Sequence, residues 1–183
     1  FISCTFAAAV NLLNNNQLQI GSIIIDMGFE KTSLGLFKNL ALVHSMTFPI
    51  GVNHITKDIS KVCSLNLTES EVIKNKIDFS FQKNEELFGE NDYLKNIYFS
   101  KSSFRKISRS LLLEVAQSRL DEIFVMIKKQ IDLTGFNSKL ITNLFIVGCG
   151  SHLSNLDNYC SNFFGSNVRK LKKGIFDNYK IKL

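Results

Sequence analysis

The stretch IIIDMGFEKTSLGLF, Ile23–Phe37, decides how the rest of the chain is read. Three β-branched residues run into Asp26 and Gly28, the usual end of a buried strand at a loop whose backbone can approach a charged ligand. The loop then turns hostile to an anion, because Phe29 brings a bulky ring and Glu30 a carboxylate. From the residues alone an Asp-x-Gly turn between strands has two readings. It is an ordinary hairpin turn, or Asp26 holds Mg²⁺ through water while Thr32 donates to a phosphate oxygen.

Working outward, CTFAAAVNLL has helical composition and is expected to stop at NNNQ, whose asparagines favour turns. SIIIDMG, TSLGLFKN and LALVHSMTFPIG read as consecutive strands joined by tight turns. Beyond Pro49 and Gly51 the period becomes helical, with Ile55, Ile59 and Val62 on one face. The next helix opens on TESE, a capping box in which Thr68 caps and Glu71 reaches back. In residues 79–107, FSFQ and NIYFSKSSF are predicted strands around the polar KNEELFGEND. A long helix from Ser108 to Leu133 then places Leu112, Ala116, Leu120, Ile123, Phe124, Ile127 and Ile131 on one face and ends at Gly135. ITNLFIVGCGSHLSNLDNYCSNFFG reads as strand, glycine loop and helix, with Leu153, Leu156, Cys160, Phe163 and Phe164 facing the core and Gly165 as the stop. SNVRKLK closes as a strand. Strands first, then helices, then a strand and helix returning to the same sheet predict an α/β fold, with residues 53–107 inserted as a smaller lobe.

The totals narrow the function. A chain of 183 residues, 45% hydrophobic and 21% charged, has the length and composition for a proper core. Its net charge of +6 is spread along the chain, which fits a solvated basic surface, an acidic partner or membrane headgroups. No aromatic-rich basic motif points to nucleic acid. Cys4, Cys63, Cys149 and Cys160 lack CxxC spacing and read as reduced cytosolic thiols. His44, His54 and His152 are dispersed, against a zinc site. No apolar run reaches the about 18 residues needed to span a bilayer. Opening on Phe1 in mid-fold, the sequence is expected to be part of a longer protein.

A second loop, Gly148, Cys149, Gly150 and Ser151, lies between an apolar strand and an amphipathic helix, where backbone can approach a ligand and helix N–H groups point outward. Close strand–helix packing explains it equally. Glu71 and Lys74 share a helix face and suit a ribose or a base. The alternatives are the capping box for Glu71 and a solvated surface charge for Lys74.

The order of these pieces adds what no single one carries. A strand-Asp-x-Gly hairpin, FPIGVNHITKDIS, a helix with EVIK, ISRSLLLEVAQSRLDEIFVMIKK and then IVGCGSHL together resemble the second half of an actin-like ATPase, most closely the bacterial FtsA cell-division family. FPIGVNHITKDIS is similar to that family's I-P-x-G-G-N-H-I-T-x-D-I-A, and the long helix to its R-x-L-x-E-I-I-x-x-R-x-E-E-I-F. The resemblance covers nearly the whole chain. It implies an actin-like (ribonuclease H-like) mixed sheet flanked by helices. Residues 1–52 and 108–183 would form subdomain IIA, and residues 53–107 an inserted α+β subdomain IIB.

The resemblance also implies a cofactor, ATP with Mg, and partners. Asp26, Gly28 and Thr32 match the second phosphate loop, D-x-G-G-G-T-T, but Phe29, Glu30 and Lys31 replace Gly, Gly and Thr, so phosphate binding is expected to be weak or lost. Gly148, Gly150 and Ser151 match the adenosine loop G-G-G-[AS], with Cys149 substituted, and Glu71 and Lys74 match the family's E-x-x-K. Val52 stands where a second hinge Gly is usual. Members are cytoplasmic, attach to the inner face of the cell membrane through a C-terminal amphipathic helix that is not visible here, self-associate into filaments with other division proteins, and tether the tail of FtsZ. Arg105, Lys106 and Arg109 are the expected seat for that tail. The expected function is a division scaffold rather than an enzyme. The alternatives are an ATP-hydrolysing actin or chaperone-like half, and a pilus-assembly scaffold.

Overall fold

A computed structural model of the chain describes residues 3–80, 85–98, 106–136, 143–165 and 168–170. Two helices, α1 (Cys4–Leu12) and α2 (Asn15–Ile20), precede three strands, β1 (Ser22–Met27), β2 (Thr32–Lys38) and β3 (Ala41–Phe48). Then come α3 (Val52–Cys63), α4 (Leu67–Lys76), α5 (Arg109–Leu133), β4 (Leu144–Val147), α6 (Leu156–Phe164) and β5 (Val168–Lys170). The sheet order is β3-β2-β1-β4-β5, antiparallel through the first three strands and parallel where β4 joins β1 and β5 joins β4. It is therefore a mixed α/β sheet with helices on both faces. Strand alternation sorts the two layers: Ile23, Ile25, Met27, Leu34, Leu36, Leu144 and Ile146 point into the main core with α3, α4, α5 and α6. Ile24, Phe37 and Phe145 point to the other face, onto Ala9 and Leu13 of the first helical pair.

The hairpins follow local chemistry. β2 and β3 meet through Asn39 and Leu40, both at positive φ (53° and 64°), as a two-residue hairpin whose twist matches its strands requires. The whole apolar face predicted for α5 is buried. Several local expectations are corrected. The asparagine cluster does not end in a turn, since the side chain of Asn14 accepts from Gln17 N–H and starts α2. Val62 is half exposed and Cys63 is buried in its place. Neither predicted strand in 79–107 forms among the described residues: Phe79 and Ser80 lie in a turn, Asn96–Tyr98 is a 3₁₀ turn, and only isolated bridges occur, Phe88 with Leu94 and Tyr93 with Ser108. Phe79 and Leu87 reach the core from turns, and Phe88 and Leu94 reach it from their single bridge, so this segment buries side chains without an extended ladder.

Candidate functional site

Parallel pairing of β1 with β4 brings the loops after both strands to one edge of the sheet, the edge where open α/β sheets bind ligands. Asp26 pairs with Val147, and Gly148 follows at once. A Cβ on Gly148 would lie 2.4 Å from Asp26 Oδ1 and 2.6 Å from Met27 O, and its φ of 82° with ψ near 180° is closed to other residues. On Gly150 a Cβ would meet Met27 Cβ at 2.6 Å and Val52 Cγ1 at 2.9 Å, so Val52, in place of a usual glycine, packs against this loop. The half-buried Asp26 carboxylate takes no hydrogen bond from the described residues, and an unpartnered hard oxygen donor of this kind fits a hydrated divalent cation.

The glycine loop does not lead straight into α6. Cys149–His152 forms a 3₁₀ turn, and both the N–H and the hydroxyl of Ser151 donate back to Gly148 O, at 3.1 and 2.7 Å. Burial holds the Cys149 thiol above its ordinary range against the pull of the Lys74 ammonium, which keeps it protonated and a poor nucleophile. The exit of α4 is tied to the segment after this loop: Phe79 N–H donates to Ser154 O at 3.1 Å and Asn155 Nδ2 to Asp78 Oδ1 at 2.8 Å.

On the hairpin, Gly28 N–H donates to Lys31 O at 2.9 Å, while the carbonyls of Gly28 and Phe29 accept from Val52 and Asn53 N–H at 3.1 and 2.9 Å. The first turn of α3 thus sits directly on the loop. Gly51 permits this, because a Cβ there would come within 2.5 Å of both carbonyls. Thr32 is fully buried and donates its hydroxyl to Ile50 O at 2.7 Å, so that proton is committed within the chain. No residue from Phe29 to Lys31 has positive φ, and Phe29 is 52% exposed. Glu30 leans onto α3, accepting from Asn53 Nδ2 at 2.5 Å and pairing with Lys57 at 3.4 Å; the Asn53 hydrogen bond, chiefly, lowers its pKa.

Glu71 and Lys74 are brought to the same region. The capping box of α4 is Asn66 with Glu69, not Thr68 with Glu71, which frees Glu71. Lys74 is 2% exposed, not a solvated charge, and its Nζ lies 2.8 Å from both Glu71 oxygens. Thr56 Oγ1 donates to Glu71 Oε2 at 2.6 Å and Asn75 Nδ2 to Oε1 at 3.3 Å. Burial pushes the Glu71 carboxyl up, but the Lys74 and Thr56 hydrogen bonds outweigh it, and the net pKa is lowered. No sequence motif revealed the Thr56–Glu71 contact or the Asp78–Asn155 clasp, although an Asp two residues before Ser80, whose N–H it accepts at 2.8 Å, is a recognisable turn signal.

The expected tail seat lies elsewhere, at the start of α5. Arg109 lines a groove of about 350 Å³ with Asn91, Asp92, Tyr93, Ser108, Ser110 and Leu113, and Lys106 lies over the Tyr93 ring at 5.6 Å. Arg105 falls outside the described residues. Among the described residues there is no group of three or more His, Cys, Asp or Glu side chains able to hold a metal, the cysteines are free, and no helix is long and apolar enough to cross a membrane.

Residues 23–180 match the family model described as cell division protein FtsA. The FtsA of Pseudomonas aeruginosa is 23% identical over 163 residues, 89% of this chain and 38% of that protein; the Buchnera aphidicola FtsA is 25% identical over 170 residues, 89% and 40%. The chain thus spans about two-fifths of the length of these relatives. Among solved structures, MreB5 of Spiroplasma citri bound to ADP aligns with TM-score 0.68 at 20% identity, over 92% of this chain and 54% of that one. The PilM–PilN type IV pilus biogenesis complex aligns with TM-score 0.62 at 15% identity, over 92% and 41%. The fold is actin-like.

Proposed function

Because the chain belongs to the family of the cell division protein FtsA, we propose that it forms the second half of an actin-like scaffold that tethers FtsZ filaments to the inner face of the cell membrane, with weak adenine-nucleotide binding and little hydrolysis. The single observation that supports nucleotide binding is the meeting of three distant segments at one sheet edge: Asp26, the Gly148 loop packed against it, and the exit of α4, the helix of Glu71 and Lys74, clasped to the segment after that loop through Asp78 and Asn155. In this reading Asp26 holds Mg²⁺ through water, Gly28 and Gly51 let the hairpin and α3 close on one another, and Gly148, Gly150 and Ser151 shape the nucleoside side. Thr32 braces the hairpin. ATP supplies the phosphates that Phe29–Lys31 hold poorly, the other half of the cleft lying outside this chain. Residues 53–107 serve as the inserted lobe, and self-association follows the habit of the fold.

The partner proposal rests on the Arg109 groove. The groove offers the Arg109 guanidinium, the Tyr93 ring and Leu113, with the Lys106 ammonium over that ring against one lining carboxylate, Asp92, and this net basic, part-apolar character suits a tail peptide carrying carboxylates beside apolar residues. A labelled FtsZ tail peptide is expected to bind the full-length protein, and Arg109→Glu to weaken it. No binding at high micromolar peptide would remove the partner from the proposal.

A further inference from the structure

The Glu71 carboxylate is already full. A carboxylate offers about four acceptor positions, and those of Glu71 are met from within the chain: Oε1 by Lys74 and Asn75, Oε2 by Thr56 and Lys74. Three of these contacts are short, at 2.6 to 2.8 Å, and only Asn75, at 3.3 Å, is loose. Thr56 is itself 2% exposed, so its hydroxyl has no competing water. A sugar hydroxyl that donated to Glu71 would have to displace one of them, exchanging one hydrogen bond for another at no gain. We infer that Thr56 makes this nucleoside site indifferent to the sugar, because it closes the Glu71 oxygen that a ribose 2′-hydroxyl would otherwise use, and that ribo- and 2′-deoxyribonucleotides are equivalent ligands. The inference rests on the proposed nucleotide binding and adds to it a rule of selectivity. Thr56 is a positioning residue here. It acts through Glu71 and touches no ligand.

The test is titration of the full-length protein with Mg-ATP and Mg-2′-deoxy-ATP by calorimetry. The wild type is expected to bind both within about twofold, where a carboxylate free to accept the hydroxyl would separate them about tenfold. Thr56→Val, which keeps the shape and removes the donor, is expected to open Oε2 and create a preference for ATP of about fivefold or more, and Thr56→Ser to restore indifference. A merely structural role for Thr56 would weaken both nucleotides alike and leave their ratio unchanged, which overturns the inference. A wild-type preference for ATP near tenfold overturns it as well while leaving the nucleotide proposal intact. Failure of both nucleotides to bind at millimolar concentration defeats the two together.

Discussion

The two sides of the candidate site treat glycine differently. On the nucleoside side, Gly148 and Gly150 are held by contacts within the protein, since a Cβ at either would enter Asp26, Met27 or Val52. On the phosphate side the same holds for Gly28, whose Cβ would lie 2.8 Å from Lys31 O, and for Gly51. Phe29 and Glu30, by contrast, have exposed side chains and adopt no left-handed backbone, and Glu30 makes its contacts at the surface, with the Asn53 and Lys57 side chains. Glycine stands where packing requires it, and other residues stand at the two positions where, on the proposed phosphate role, only a ligand would call for it. That difference separates constraint by packing from constraint by ligand along a few consecutive residues.

The largest effect should come from breaking the packing constraint. Gly148→Ala forces a Cβ into Asp26 Oδ1 at a φ that alanine avoids, and it is expected to cost about 3 kcal/mol or more. The urea midpoint of the full-length protein measures this. A loss below about 1 kcal/mol would mean that the loop can move off β1, and the contrast between the two sides would fail.

Next in size is the Glu71–Lys74 brace. Glu71→Ala strands a buried ammonium, and the expected loss is about 2 kcal/mol, below the usual value for a fully buried pair because the Glu71 side chain is 37% exposed. Its folded pKa is lowered, so its contribution is fully present above the unfolded value near 4.5 and disappears as pH falls through the folded one. Acid denaturation of Glu71→Gln should therefore show a shallower decline below about pH 4.5 than the wild type. An identical pH profile would show that the pair carries no folding energy.

Much of this was legible in the residues, and the misses share a cause. β-branched and apolar runs bounded by turn residues located β1–β3, and the helical period located all seven buried residues of α5, because β1 and β2 are buried on both faces while α5 buries one. The turns at Phe79 and at Asn96–Tyr98 looked like strands because an apolar run is the same signal whichever backbone carries it, while Leu87 and Phe88 are buried from a segment that read as polar. At the site, Asp26, Gly148 and Lys74 were recognisable through a family-like succession. Asn53, Thr56 and Lys57 lie in the family-like FPIGVNHITKDIS, but their partners were not legible, because a side chain that meets a carboxylate across 15, 23 or 27 residues leaves no local spacing to read. The capping box was misplaced for a related reason: Asn66 and Thr68 both suit an N-cap, and only the three-dimensional demand on Glu71 separates them.

The smallest effects lie on the phosphate side, and they divide the two departures in the loop. Phe29→Gly removes a ring from the mouth of a hairpin whose Gly28 and Phe29 carbonyls are pinned to α3, so the planar peptides already aim the Phe29 and Glu30 N–H groups away from α3, where an anion can reach them once the ring is gone. One added hydrogen bond to a charged group is worth about tenfold in ATP affinity. Glu30→Gln should do less, under about threefold, because Asn53 and Lys57 already draw that carboxylate toward α3 and offset its charge. Affinities of the two single variants and of the double variant with glycine at both positions, measured in the full-length protein at fixed salt, rank the causes. If Glu30→Gln gained more than Phe29→Gly, repulsion rather than obstruction would be what keeps the phosphate loop weak, and the lean of Glu30 onto α3 would not persist once nucleotide is bound.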